Sequence, residues 1–234
     1  MKDPLFIQTV AIEWEALEED SYVRDIPALR SMGTLVFTHN ITLLVGENGT
    51  GKSTLLEAMA IHYGFNPEGG TLNYRFHTYD DYSDLHEGIR MQRHYSKPRA
   101  NYFFRAESFF NMATKAIDYK VADYHSMSHG ESFLSFFQSF DSAGLFIMDE
   151  PEAALSPQRQ LTLLIDICHL AKLGAQFIIA THSPILLGLP GAKLLSFDDG
   201  IIKPINYEDT ASYQVTKRFL NDRESFLKLL LADQ

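Results

Sequence analysis

Three short stretches of the chain are apolar almost without interruption: residues 41–45 (ITLLV), 145–148 (LFIM) and 177–180 (FIIA). Runs this short, rich in branched side chains and bounded by turn residues or acids, predict strands buried on both faces of a parallel sheet. Elsewhere the apolar positions alternate. Residues 6–14 predict a half-exposed antiparallel strand, residues 34–37 a second, and the aromatic-rich alternations at 72–76 and 101–105 two more. Helical spacing takes over at Leu55, Leu56, Met59, Ala60 and Tyr63, again at 109–119 and 132–140, and over 157–173, where Gly174 stops it. Polar intervals at 15–20, 64–70 and 80–84 predict loops, and the acids of the last lack EF-hand spacing. Hairpins are expected near Lys97-Pro98 and at Asp198-Asp199-Gly200, the second between strands at 194–197 and 201–205. A last helix is expected from Asn221 as N-cap, with Glu224 three residues on and Phe226, Leu227 and Leu230 buried. Strand, loop and helix in this order imply an α/β fold with a parallel sheet and right-handed crossovers.

Between the first buried strand and the first helix stands Gly46-Glu47-Asn48-Gly49-Thr50-Gly51-Lys52-Ser53-Thr54, which matches the phosphate-loop pattern GxxxxGK(S/T). Glycines let backbone N–H groups turn toward phosphate oxygens with no Cβ in the way, and a helix N-terminus adds unpaired donors and positive potential. Lys52 is placed to reach the β- and γ-phosphates, and the Ser53 hydroxyl to ligate Mg²⁺. So many fixed positions, in the strand–loop–helix context that the motif needs, leave little room for a chance Gly-rich turn.

Composition narrows the class. At 234 residues the chain suits one large or two small domains, and 45% hydrophobic content supplies a core. No uncharged apolar run reaches about 18 residues, and Met1-Lys2-Asp3-Pro4 lacks the apolar stretch of a signal peptide, so a cytoplasmic chain with no membrane span of its own is expected. The single cysteine, Cys168, falls on a stripe with Leu161, Leu164 and Ile165 and reads as a buried small hydrophobe in a reducing compartment. A net charge of −10 argues against a surface that coats nucleic acid, which would then need a local patch. The densest basic stretch, Arg90, Arg93, His94, Lys97, Arg99 and Arg105, reads first as the solvated face of a hairpin and second as an anion or nucleic-acid contact. Tyr22 reads first as packing on its neighbours and second as an aromatic that stacks on a nucleotide base.

The second buried run closes on Asp149-Glu150, and the third on Thr181-His182. Beside a phosphate loop, the first of two such acids holds Mg²⁺ and the second polarises the attacking water. A lone histidine is usually structural, but at the carboxyl end of a strand in an open α/β sheet it lies where ligands collect.

Between the phosphate loop and the acidic strand lies Met127-Ser128-His129-Gly130-Glu131-Ser132. With its flanking motifs it resembles the signature sequence of ABC-type ATPases. Ala154-Leu155-Ser156 is similar to that family's D-loop and His182 to its switch histidine, and the wording around them is similar to stand-alone bacterial ATPases of the AAA/SMC-like group. The resemblance implies a P-loop NTPase of ABC type with a RecA-like parallel-sheet core. Residues 1–45 would form an antiparallel β-subdomain leading into the loop, 46–105 the phosphate-loop helix and a β-rich insert, 106–144 a short helical signature region, and 145–234 the rest of the core.

It further implies a homodimer with ATP at the interface, the phosphate loop of one copy and the signature of the other (Ser128, the N–H of Gly130, Glu131) meeting the same γ-phosphate. Glu150 would be the general base, and His182 would fix the γ-phosphate and the water. Two positions depart from the pattern. His129 replaces the first signature glycine and either crowds the nucleotide or adds a donor to it. The Q-loop glutamine has no clear counterpart; Glu107 stands nearest its place as a further Mg²⁺ ligand, with packing and surface roles open. The expected function is Mg²⁺-dependent ATP hydrolysis coupled to an unidentified effector protein, in DNA maintenance or phage defence. The alternatives are the nucleotide-binding subunit of an ABC transporter and a non-hydrolysing, ATP-dependent dimerisation switch.

Overall fold

The computed structural model describes residues 5–72, 82–105 and 129–232. In chain order come β1 (Ile7–Ile12), α1 (Pro27–Arg30), β2 (Leu35–Val36), β3 (Ile41–Val45), α2 (Lys52–Tyr63), α3 (Leu85–Gly88), β4 (Ile89–Arg93) and β5 (Ala100–Arg105). They are followed by α4 (His129–Phe137), β6 (Gly144–Asp149), α5 (Pro157–Lys172), β7 (Gln176–Ala180), β8 (Lys193–Ser196), β9 (Lys203–Pro204), α6 (Ala211–Asn221) and α7 (Arg223–Leu231).

The three apolar runs become β3, β6 and β7 of one sheet, in the order β5-β6-β7-β3-β8-β9 among the described residues. Its first five strands run parallel and β9 returns antiparallel to β8. β3 and β7 are buried along their whole length, because helices or the second sheet cover both faces. On one face Leu44, Ile147 and Ile178 pack with Leu55, Leu56 and Met59 of α2. On the other, Leu43, Phe146 and Ile179 pack with α4 and α5, and the Phe146 and Phe177 rings stack at 4.8 Å. A smaller antiparallel sheet, β2-β1-β4, lies beside the first face. In β1 the expected alternation is interrupted by a register shift between Ile7 and Thr9, which brings Ile7 and Val10 to the core together.

Four expectations are corrected. The segment at Lys97-Pro98 is not a hairpin: β4 pairs antiparallel with β1, whereas β5 crosses to the large sheet beside β6. Two alternating segments around a short turn look alike locally, whichever sheet claims each. On α5 the buried positions are Leu163, Ile167 and Leu170, while Leu161 and Ile165 are 51% and 64% exposed and Cys168 is half-buried. The last helix starts one residue later, with the Asp222 carboxylate accepting from Ser225 N–H, after an additional helix, α6. It buries none of its side chains: Phe226 and Leu227 are half-buried and Leu230 is exposed. The turn at Asp198-Asp199-Gly200 does form between β8 and β9, α4 starts three residues before the predicted helix, and a short α3 follows Ser83-Asp84. Most of the strand expected at 72–76 and all of the helix expected at 109–119 lie outside the described residues.

Gln176 joins the two sheets. Fully buried, it accepts from Ile7 N–H and donates to Ile7 C=O, each at 2.8 Å. Gln176→Ala leaves both backbone groups without these partners and should cost about 2 kcal/mol or more. Leu230→Ala, on an exposed position, should stay within about 0.5 kcal/mol; urea midpoints of the two variants check the contrast.

Candidate functional site

Leu44 at the end of β3 and Asp149 at the end of β6 both register against Ala180 of β7. The residues that leave those strands therefore leave at one level, on the carboxyl edge of the sheet, and Val45 is level with Ser196 of β8 on the same edge. This is the edge where an open α/β sheet collects ligands.

The loop from Gly46 to Thr54 is folded around its own lysine. Lys52 Nζ donates to Gly46 C=O and Glu47 C=O at 2.7 Å each, and the side chain is only 4% exposed. Burial holds the amine below its ordinary range, partly opposed by the carboxylates of Asp198, Glu150, Asp149 and Glu47. Gly46 and Gly51 carry φ of 147° and 96°, and a Cβ on Gly51 would meet the Ile26 side chain at 2.7 Å, so the tight path belongs to glycine. Glu47 N–H donates to Asp198 Oδ1 at 2.9 Å, which ties the loop to the turn after β8. Ser53 Oγ, in the first turn of α2, donates to Asp149 Oδ1 at 3.0 Å.

Glu150 has φ 48° and ψ 54°, a left-handed conformation for a residue with a side chain, held by its N–H on Ala180 C=O at 2.9 Å. Such a conformation costs about 1–3 kcal/mol and persists where its surroundings dictate it. Its carboxylate stands 3.7 Å from His182 Nε2. A cleft of about 420 Å³ opens along these groups, with Tyr22, Asn48, Gly49, Lys52, Thr54 and Glu150 among its lining.

Two family models match the chain. Residues 28–94, with the phosphate loop, match the one described as "AAA domain", and residues 123–188, with the acidic strand and His182, match "AAA domain, putative AbiEii toxin, Type IV TA system". The chain has an α/β fold with a parallel-sheet core and carries matches to AAA-domain models over these two stretches. Similar solved structures include a "putative metal-chelate type ABC transporter" in an inward-facing conformation, with 15% identity over 91% of this chain and 88% of that one and a TM-score of 0.44. The SMC head domain from Thermotoga maritima is another, with 12% identity over 88% and 99% and a TM-score of 0.39. No curated protein matches the chain.

Gly46 to Thr54, Asp149, Glu150 and His182 come together on this one edge of the sheet. Ser128 and Glu107 lie outside the described residues, and Gly130 and Glu131 are described only as backbone in the first turn of α4. Tyr22 corrects its first reading: the ring is 57% exposed on the rim of the cleft rather than packed away. The basic stretch is dispersed, with Arg90 paired to Glu13, Arg105 to Glu57, and Arg93 over the Tyr63 ring. Asp198 and Glu152 touch the site and were not anticipated; only the density of acids around each was visible in the sequence.

Among the described residues no three His, Cys, Asp or Glu side chains converge as a metal cage. The Ser53–Asp149 pair still suits Mg²⁺, which keeps several waters and takes oxygen from one or two side chains and from phosphates. No described helix is long and apolar enough to cross a membrane.

Burying the Lys52 amine has a pH signature. With its folded pKa below the ordinary 10.5, the unfolded chain binds more protons between the two values, and stability rises with pH across that interval. Lys52→Met should fold at least as stably as the parent at pH 7, its advantage shrinking as pH approaches 10.5 in urea titrations.

Proposed function

We propose that the chain binds ATP with Mg²⁺ in this cleft and hydrolyses it, working as a homodimer with ATP at the interface and coupled to a separate effector protein. The observation that carries the reading is the convergence of Lys52, the Ser53–Asp149 pair, Glu150 and His182 from three strands onto one sheet edge.

On this reading the backbone N–H groups of the loop from Gly46 to Thr54 receive the phosphate oxygens, with the N-terminus of α2 behind them. Lys52 exchanges two carbonyl partners for phosphate oxygens, a stronger charge-assisted pairing. Ser53 and Asp149 hold Mg²⁺, with Glu107 as a further oxygen ligand; bound there, the ion supplies positive charge against the phosphates. Glu150 accepts a proton from water as the water oxygen bonds to the γ-phosphorus. The bond to the bridging oxygen breaks, and ADP leaves with that electron pair. His182 orients the γ-phosphate and water, and a second copy contributes Ser128, Gly130 and Glu131. Tyr22 offers its exposed ring to the base.

Glu150 beside His182 supports hydrolysis over a switch that only binds. The net charge of −10 weighs against broad DNA coating. Among the expected settings, defence is the one supported by the toxin–antitoxin description of the model that matches residues 123–188.

Glu150→Gln should bind ATP with parental affinity, release phosphate at least about 100-fold more slowly, and accumulate as an ATP-dependent dimer in light scattering. A parent protein that releases no phosphate with Mg²⁺, alone or with an effector, would sink hydrolysis in favour of the switch. Tyr22→Ala should weaken ATP binding by about 1–3 kcal/mol, read by calorimetry, with little change for inorganic triphosphate.

A further inference from the structure

Glu152 follows Glu150 by two residues, in the single turn Pro151–Ala154 after β6. Its Oε1 accepts three hydrogen bonds from the loop after β7: from Thr181 Oγ1 at 2.7 Å, His182 N–H at 2.7 Å and Ser183 N–H at 3.1 Å. The same loop is held a second time. Ser183 Oγ donates to Gln160 Oε1 at 2.6 Å, and Gln160 Nε2 donates to Leu155 C=O at 3.0 Å. In the other direction, Glu150 N–H donates to Ala180 C=O. The segment carrying Glu150 and the segment carrying His182 therefore grip each other reciprocally, although side chain to side chain those two residues meet only at 3.7 Å.

The choice of residue is costly unless it does this work. Glu152 Oε2 is buried and has no hydrogen-bond partner among the described residues, which is expensive for a carboxylate. What offsets the cost is Oε1, because hydrogen bonds to a charged acceptor are about twice as strong as neutral ones. Their donors are the hydroxyl and amides that fix where the His182 backbone stands.

We infer that Glu152 is a positioning residue: it holds the His182 loop against the turn that carries Glu150, so that the imidazole and the carboxylate share one geometry. The inference rests on the hydrolysis reading for its catalytic consequence, while the anchoring itself is independent of it. Gln at this position keeps a carbonyl acceptor in place of Oε1; Ala removes it.

The test compares the full chain with Glu152→Ala and Glu152→Gln by amide hydrogen exchange, ATP affinity and steady-state kinetics. Glu152→Ala should speed exchange at His182 and Ser183 at least tenfold. It should lower kcat by about 100-fold, the scale of a misplacement near 1 Å, with KM and ATP affinity within about threefold of the parent. Glu152→Gln should restore exchange protection and most of kcat. Unchanged exchange at 182 and 183 in the Ala variant would overturn the inference. So would a loss of ATP affinity proportional to the loss of kcat, or a Gln variant as impaired as Ala. A parent chain without phosphate release would defeat the hydrolysis reading instead, and the exchange data would still decide whether Glu152 anchors the loop.

Discussion

The site depends first on the register of three parallel strands. Leu44, Ala180 and Asp149 stand in one row, and a slip of one residue in any of them would separate the phosphate loop from the acids and from His182. In strands this apolar on both faces, a slip is opposed by few buried polar groups, Gln176 on Ile7 among them, so packing has to oppose most of it. Two features do so. Phe146 and Phe177 stack nearly parallel across neighbouring strands. Gly144 begins β6 where a Cβ would lie 2.3 Å from Ala100 C=O. Strand β6 is thus fixed by bulk in its middle and by close backbone approach at its start, and its acids emerge at a defined height.

The edge so created is electrostatically demanding. An acidic chain repels an anionic ligand at long range, so attraction has to come from donors close enough to escape screening. That accounts for how the phosphate loop is built: amides directed by glycine, a helix N-terminus, and one lysine kept among carbonyls. The carboxylates around Lys52 hold its charge in a place where burial alone would favour the neutral amine.

Much of this was legible along the chain. Residues 41–45, 145–148 and 177–180 are strands because no other element that short buries so continuous an apolar run, and the phosphate loop follows the first of them. What sequence did not reveal is what only long-range pairing decides. The β4 and β5 segments alternate alike, yet one joins the small sheet and the other the large one. On α5 the stripe with Cys168 and the stripe with Ile167 are neighbours around the helix, and only the position of the sheet chooses between them. Asp198 reaches Glu47 across 151 residues, so it read merely as part of a turn. Tyr22 looked like packing because nothing local says that its surroundings are a cleft.

The carboxylates on this edge show how one chemical group takes different parts through its donors alone. Asp149 accepts from the Ser53 hydroxyl, a partner that also suits a hard cation. Asp198 accepts from the Glu47 amide and the Ser196 hydroxyl and so braces the phosphate loop. Glu152 accepts two amides and a hydroxyl at a single oxygen, which makes it an anchor for backbone. Glu150 differs in kind. Its backbone is forced left-handed, and its carboxylate faces the cleft beside an imidazole instead of an amide. On the proposed hydrolysis reading, a group that takes a proton should not have its lone pairs committed to fixed donors. With Glu150 in its left-handed conformation, the amides of the His182 loop are taken up by Glu152, two residues on.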